Sequence, residues 1–282
     1  MFRSLLFIPG NNPSMLQNAD IFPADGIIFD LEDAVSVKEK VNARNLVKHY
    51  LETSSVLPKK VILRTNDIES EYFIKDLELF KTNRIDFLLL PKISYSILPK
   101  LELILSQFED KEKTNKIKVI GLIETVKAVN EVEKIAENKR LYGLLLGAED
   151  LASDLEIKRT DSSEEIIYPR SKVIFAAKAN NLIAIDTPYT DINNPEGLLR
   201  DVKFANQLGM KAKTAIHPNQ LEVINTEFSP KESDILWAKE IIKLSETNKD
   251  KGSFQYLGKM IDKPIIARAK RILENAKSYG LI

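Results

Sequence analysis

The chain has 282 residues, with 41 basic and 41 acidic side chains, two histidines and no cysteine. That balance excludes a disulfide framework, a thiolate nucleophile, a cysteine zinc site and a dedicated nucleic-acid binder, which carries a basic excess. Two histidines argue against a multi-histidine metal centre, and the length allows either two domains or one α/β barrel of ordinary size. No apolar run reaches the ~18 residues of a membrane-spanning helix. The start, residues 1–9, shows no cleavage-site pattern and stops at the turn signal Pro9-Gly10-Asn11-Asn12-Pro13, so it reads as the first strand of a cytoplasmic protein.

Short apolar runs then follow in order at residues 4–9, 26–31, 60–64, 86–90, 118–123, 142–147, 182–186 and 213–216. They are rich in Ile, Leu, Val and Phe and lack polar alternation in their centres, as strands buried on both faces do in a parallel sheet. Helical patterns fall between them at 36–51, 71–81, 97–108, 127–137, 171–180 and 195–208. Eight strands alternating with helices predict a (β/α)8 TIM barrel. The alternative is an open doubly wound sheet, but no Gly-x-Gly-x-x-Gly follows the first strand. The polar stretch 150–170 is long for a βα loop and is a candidate active-site loop. After the eighth strand come a helix at 233–244, a flexible linker at 248–252 and a last helix at 264–279. The expected division is a barrel at 1–230 and a C-terminal helical extension at 231–282, which folds back on its own barrel or reaches a neighbour.

In such a barrel, functional groups collect at the C-terminal strand ends. Carboxylates dominate there: Asp30, Glu32, Asp33, Glu124, Glu149, Asp150 and Asp186. Converging carboxylates repel unless a cation joins them, and without cysteine the natural ion is Mg2+ bound through oxygen. Ile120, Leu122 and Glu124 share one face of strand five. Leu144, Leu146, Ala148 and Asp150 share one face of strand six if that strand stays extended, so Glu124 and Asp150 are the expected metal pair. Asp33, Glu149 and Asp186 read equally well as helix caps or loop ion pairs. Arg64 could fork onto a substrate carboxylate or pair with the nearby acids. Lys92, after Pro91, suits an electrostatic contact better than imine chemistry, and His217-Pro218 reads as a turn.

At these residues the chain resembles the citrate lyase β-subunit family, which includes malyl-CoA and citramalyl-CoA lyases. The matching segments run from Arg3-Ser4-Leu5-Leu6-Phe7-Ile8-Pro9-Gly10-Asn11-Asn12-Pro13 and Phe29-Asp30-Leu31-Glu32-Asp33-Ala34-Val35 to Leu63-Arg64-Thr65-Asn66 and Gly121-Leu122-Ile123-Glu124-Thr125. They continue with Leu146-Gly147-Ala148-Glu149-Asp150-Leu151, Ala184-Ile185-Asp186-Thr187-Pro188-Tyr189, Ala215-Ile216-His217-Pro218-Asn219-Gln220 and Gly258-Lys259-Met260-Ile261-Asp262. The resemblance implies a (β/α)8 barrel, usually a homotrimer, that makes or breaks a C–C bond beside a CoA or acyl-carrier thioester. It implies Mg2+ on Glu124 and Asp150, an oxo acid such as oxaloacetate on Arg64, and Lys92 facing the thioester carrier. It also implies Asp262 as an acid/base lent to a neighbouring subunit; without the resemblance, Asp262 before Pro264 reads as a helix cap. Asp30, Glu32 and Asp33 are possible supporting groups. The chain departs from the family at Glu156 and Ala212, where glycine is common. The expected activity is a citryl-CoA lyase-like retro-Claisen cleavage. Its alternatives are a subunit that works only with citrate lyase α and acyl-carrier partners, and a CoA-independent Mg2+ aldolase.

Overall fold

A computed structural model describes residues 2–248 and 252–282. Residues 249–251 of the expected linker, and Met1, lie outside the described residues. The chain divides into two compact units, residues 2–225 and 226–282. No helix among the described residues is long and apolar enough to cross a membrane.

The first unit is a closed barrel of eight parallel strands in sequential order, as expected. Strands β1 (Ser4–Pro9), β2 (Gly26–Asp30), β3 (Val61–Arg64) and β4 (Phe87–Leu90) are followed by β5 (Lys118–Ile123), β6 (Leu141–Leu146), β7 (Ile183–Asp186) and β8 (Ala212–Ala215). Closure runs through Ser4 opposite Lys213 and Leu6 opposite Ala215. The long connecting helices are α2 (Lys40–Thr53), α4 (Leu98–Glu112), α5 (Val126–Ala136), α7 (Ile167–Ala179) and α8 (Pro195–Leu208). Helix α5 shows how they form: Thr125 caps it by accepting from Ala128 N–H, and Val129, Val132, Ile135 and Ala136 make its buried stripe.

Alternate residues fill the interior, including Leu5, Ile28, Ile62, Leu89, Ile120, Leu122, Leu145 and Ile185. Three aromatic rings close the lower end. Phe2 meets Phe87 edge-on at 5.7 Å, and Phe87 lies 4.3 Å from Tyr142, so the barrel is a packed core rather than a pore.

Local differences from the sequence pattern have physical causes. Segment 71–81 forms only a short α3 (Phe73–Leu77) and a 3-10 stretch at Glu78–Thr82, ended by Asn83 in the left-handed region. Helices α1 (Pro13–Gln17) and α6 (Ala148–Asp154) are too short for a periodic signal. The β5–β6 register shifts between Val119 and Ile120. As a result Gly143 and Leu145, not Leu144 and Leu146, stand opposite the inward Ile120 and Leu122. The strand also ends at Leu146, so strand parity does not deliver Asp150 as expected. The chain continues through α9 (Leu221–Phe228).

The second unit contains α10 (Glu232–Thr247), a hairpin of β9 (Phe254–Tyr256) and β10 (Lys259–Ile261), and α11 (Lys263–Ser278). Ala238, Ile241, Ile261 and Ala269 form its core. The hairpin turn, Leu257-Gly258, has positive φ at both residues (46° and 77°), the requirement of a type I′ turn. The sequence pattern shows no hairpin here, because three-residue strands are too short for alternation to show.

Candidate active site

A cleft of about 300 Å³ opens where the strands end, lined by Phe7, Asp30, Arg64, Glu124, Asp150 and Thr187. Leu122, Leu145, Pro188 and Ile216 form an apolar wall.

Asp30 and Arg64 stand side by side because the β2–β3 register pairs them. Asp30 takes Arg64 Nε and Nη2 at 2.7 and 2.6 Å, a two-pronged pairing that fixes the guanidinium plane. The same carboxylate accepts from the backbone N–H groups of Glu32 and Ala34, so one side chain orders both the arginine and the β2 loop. Arg64 Nη1 faces Glu32 at 3.1 Å and Asp33 at 3.3 Å, and the guanidinium carbon lies 5.1 Å from the centre of the Phe7 ring. Burial pulls the Arg64 pKa down, but the bonds to Asp30 and the charges of Glu32 and Asp33 outweigh it and hold it above its ordinary value. Lys40, a buried lysine with no sequence signal, donates to the carbonyls of Leu31 and Glu32 at 2.7 and 2.6 Å and pins the loop from beneath.

Glu124 is 2% exposed. Its Oε1 accepts from Lys92 N–H at 2.6 Å, and its Oε2 is buried with no hydrogen-bond partner among the described residues. Desolvation raises its carboxyl to about 8, against the Lys92 hydrogen bond and with help from the charges of Glu32 and Asp150. Glu32 is pushed up to about 7, mainly by burial and against the attraction of Arg64. A buried carboxylate oxygen without a donor is costly. Here it points to a cation.

Gly147 makes room for Glu124. A Cβ at 147 would lie 2.7 Å from Glu124 Cβ and 3.1 Å from Oε2. Gly147→Ala should therefore displace Glu124, costing about 1–3 kcal/mol of stability and weakening divalent-cation affinity about tenfold or more. Titration calorimetry and chemical denaturation check both; unchanged cation affinity would show that Glu124 does not need this space.

Asp150 reaches the cleft by a route other than the expected one. The chain turns at Gly147 into α6, and Asp150 lies in the first turn of that helix. It lines the cleft with Glu124, and its charge is felt there. Among the described residues no three His, Cys, Asp or Glu side chains form a ready-made metal cage. Two carboxylates, one with an unpartnered oxygen, suit a hard divalent ion that completes its shell with water and substrate oxygens.

The other candidates separate. Lys92 Nζ is exposed and 4.0 Å from Asp67, which denies it the desolvation an imine-forming lysine needs; its backbone serves the site, with φ at +51°. Asp33 and Glu149 are exposed, paired with Arg64 and Arg159. Asp186 does not face the mouth. It follows the inward Ile185 and so points outward, into a buried cluster with Arg170, Asp201 and Lys213 between sheet and helices. His217 is a cap, accepting from Asn219 N–H. Asp262, in the second unit, caps α11 by accepting from Ile265 N–H at 3.3 Å. Glu156 has φ at +58°, the left-handed conformation that explains why glycine suits that position.

Oxygen donors around a single oriented guanidinium, at the open end of a parallel barrel, define an α/β-barrel enzyme that handles small oxygen-rich acids. The chain belongs to the HpcH/HpaI aldolase/citrate lyase family, whose sequence profile matches residues 3–218. It is 36% identical to citrate lyase subunit beta of Haemophilus influenzae, covering 98% of this chain and 97% of that one. It is 32% identical to a (3S)-malyl-CoA thioesterase of Cereibacter sphaeroides, covering 99% and 96%. Among solved structures, it resembles the Mycobacterium tuberculosis protein CitE in complex with magnesium, acetoacetate and coenzyme A, with TM-score 0.79, 27% identity and 97% of each chain covered.

Proposed function

We propose that the chain is a magnesium-dependent carbon–carbon lyase of the citrate lyase β-subunit type. It cleaves a 3-hydroxyacyl thioester, citryl-, malyl- or citramalyl-CoA or its carrier-bound form, into an oxo acid and an acyl thioester. The observation that carries this reading is the buried, unpartnered Oε2 of Glu124 beside Asp150 and the oriented Arg64 in a barrel of this family.

Glu124 and Asp150 would hold the ion. When bound, it supplies Lewis acidity toward the oxygens of the hydroxy acid. Arg64 binds the oxo-acid carboxylate or carbonyl through the guanidinium that Asp30 holds in place, and so stabilises charge that develops there. Leu122, Leu145 and Pro188 exclude water from the thioester carbon. Asp262 from a neighbouring subunit exchanges the proton with the enolate carbon through Oδ2, since Oδ1 is engaged in the α11 cap. Lys92, exposed at the rim, faces the carrier. This reading makes the protein a cytoplasmic homotrimer, and light scattering at three times the chain mass would support that assembly.

Purified protein should cleave at least one of citryl-CoA, malyl-CoA and citramalyl-CoA with Mg2+ and none with chelator. Cleavage of unactivated hydroxy-oxo acids without CoA would favour an aldolase instead, and thioester hydrolysis with the carbon skeleton intact would favour a thioesterase. The relationship to a citrate lyase subunit favours a second reading, in which activity needs α and acyl-carrier partners. Capture of an acyl-carrier protein with no turnover of free CoA esters would select it.

The raised carboxyls of Glu124 (about 8) and Glu32 (about 7) have a thermodynamic consequence. At pH 7 the cation-free site holds protons that a cation must displace, so binding should release about one proton per ion, falling toward none above pH 9. Calorimetry in buffers of different ionisation enthalpy measures this; no release at pH 7 would contradict it.

A further inference from the structure

Helix α6 starts on a glycine. Gly147 has no side chain to satisfy the first-turn N–H groups, and no side-chain cap is formed there. Ala148 is fully buried, so water cannot serve its N–H. The acceptor comes from the residue that follows the neighbouring strand β7: Ala148 N–H donates to Thr187 Oγ1 at 3.2 Å. Thr187 is also fully buried, and its own carbonyl accepts from Lys213 Nζ at 2.7 Å. Lys213 is in turn held by Asp186 and Asp201 at 2.6 Å each, and Arg170 bonds to both of those carboxylates. A continuous line of contacts therefore runs from the buried charge cluster through Thr187 to the first turn of α6. Asp150 lies in that turn, two residues beyond Ala148.

We propose that Thr187 is a positioning residue for the cation site: its hydroxyl, on a residue whose carbonyl Lys213 anchors, caps α6 from just beyond the end of β7 and so fixes Asp150 relative to Glu124. The inference rests on reading Asp150 as a cation ligand. The hydroxyl does the work, so serine substitutes for it and valine, which has the same shape, does not.

Magnesium titration calorimetry on the full-length protein tests this with Thr187→Val, Thr187→Ser and Asp150→Asn, each checked for folding by circular dichroism. Thr187→Val should weaken magnesium binding about tenfold, and Thr187→Ser should restore it. In turnover assays the loss should fall on the magnesium concentration needed for half-maximal rate, not on the rate at saturation. If Thr187→Val does not fold, Thr187→Ala carries the same comparison with Thr187→Ser. Weakened binding by Asp150→Asn together with wild-type binding by Thr187→Val would overturn the inference and leave the ligand reading standing. Equal loss in Thr187→Ser and Thr187→Val would overturn it too, because side-chain shape and not the hydroxyl would then matter. Wild-type binding by Asp150→Asn would instead overturn the ligand reading on which the inference rests.

Discussion

Glu124→Gln should lower lyase turnover by at least about a hundredfold, since even outer partners of metal ligands are worth 10–100-fold, while making the cation-free protein harder to unfold at pH 9. The two effects share one cause. The amide keeps an oxygen to accept from Lys92 N–H, so the hydrogen bond at 2.6 Å survives. It removes a charge that burial disfavours. A carboxyl raised from 4.5 to about 8 corresponds to roughly 3–5 kcal/mol against the ionised form. The sign follows from linkage. Below pH 4.5 the side chain is protonated in both folded and unfolded chains, and its contribution to stability is fully present. As pH rises toward 8 the unfolded chain ionises first and that contribution is lost. The variant should therefore match wild type near pH 4 in thermal denaturation, exceed it most above pH 8, and lose the advantage when Mg2+ is added. Near-normal turnover with unchanged magnesium affinity would reject the ligand role of Glu124.

Arg64→Lys keeps the charge and should still fail. In the condensation direction, the KM for the oxo acid should rise and kcat fall by about a hundredfold or more together, the size of effect seen when an oriented charge-stabilising donor is lost. The guanidinium donates two parallel bonds to Asp30 and lies over Phe7, whereas an ammonium offers a single point charge that cannot fork. Stability should drop by about 1–3 kcal/mol, because Asp30 and Glu32 are buried and lose a donor. Arg64→Ala, which strands both buried acids, should cost about 3–5 kcal/mol. Steady-state kinetics and urea denaturation separate the two effects. Turnover near wild type in Arg64→Lys, with the stability loss intact, would make Arg64 a partner of the acids and nothing more.

The barrel was legible because its strands are buried on both faces. Runs such as Phe87–Leu90 carry no alternation for water to impose, and the helices between them carry a clear stripe. Strand ends located Asp30, Arg64 and Glu124 for the same reason. Features that depend on a single bulge or a single turn were not legible. The register shift at Val119/Ile120 changes which face of β6 is inward, and α6 brings Asp150 to the cleft by helical geometry instead of strand parity. Asp186, read from the sequence as a strand-end carboxylate or equally as a helix cap or ion-pair partner, follows the inward Ile185, and that single step puts it in ion pairs of the helix layer and not at the mouth. Lys40, Gly147 and Thr187 work through contacts distant in sequence, and composition carries no trace of those. The role proposed for Asp262 in a neighbouring subunit's site rests on family resemblance alone; within its own unit it is a cap.

Position 92 carries a lesson about inheritance. What it gives Glu124 is a main-chain N–H, aimed by a left-handed backbone at φ +51°. Every residue but proline owns that donor, so Glu124 makes its demand on the backbone at this position and not on the lysine side chain. Proline is barred twice, for lacking the N–H and for locking φ near −65°. Valine and isoleucine are discouraged by crowding at positive φ, and glycine and asparagine are favoured. A comparison that scores side chains alone gives this donor no weight, although the buried carboxylate of the cleft accepts from it.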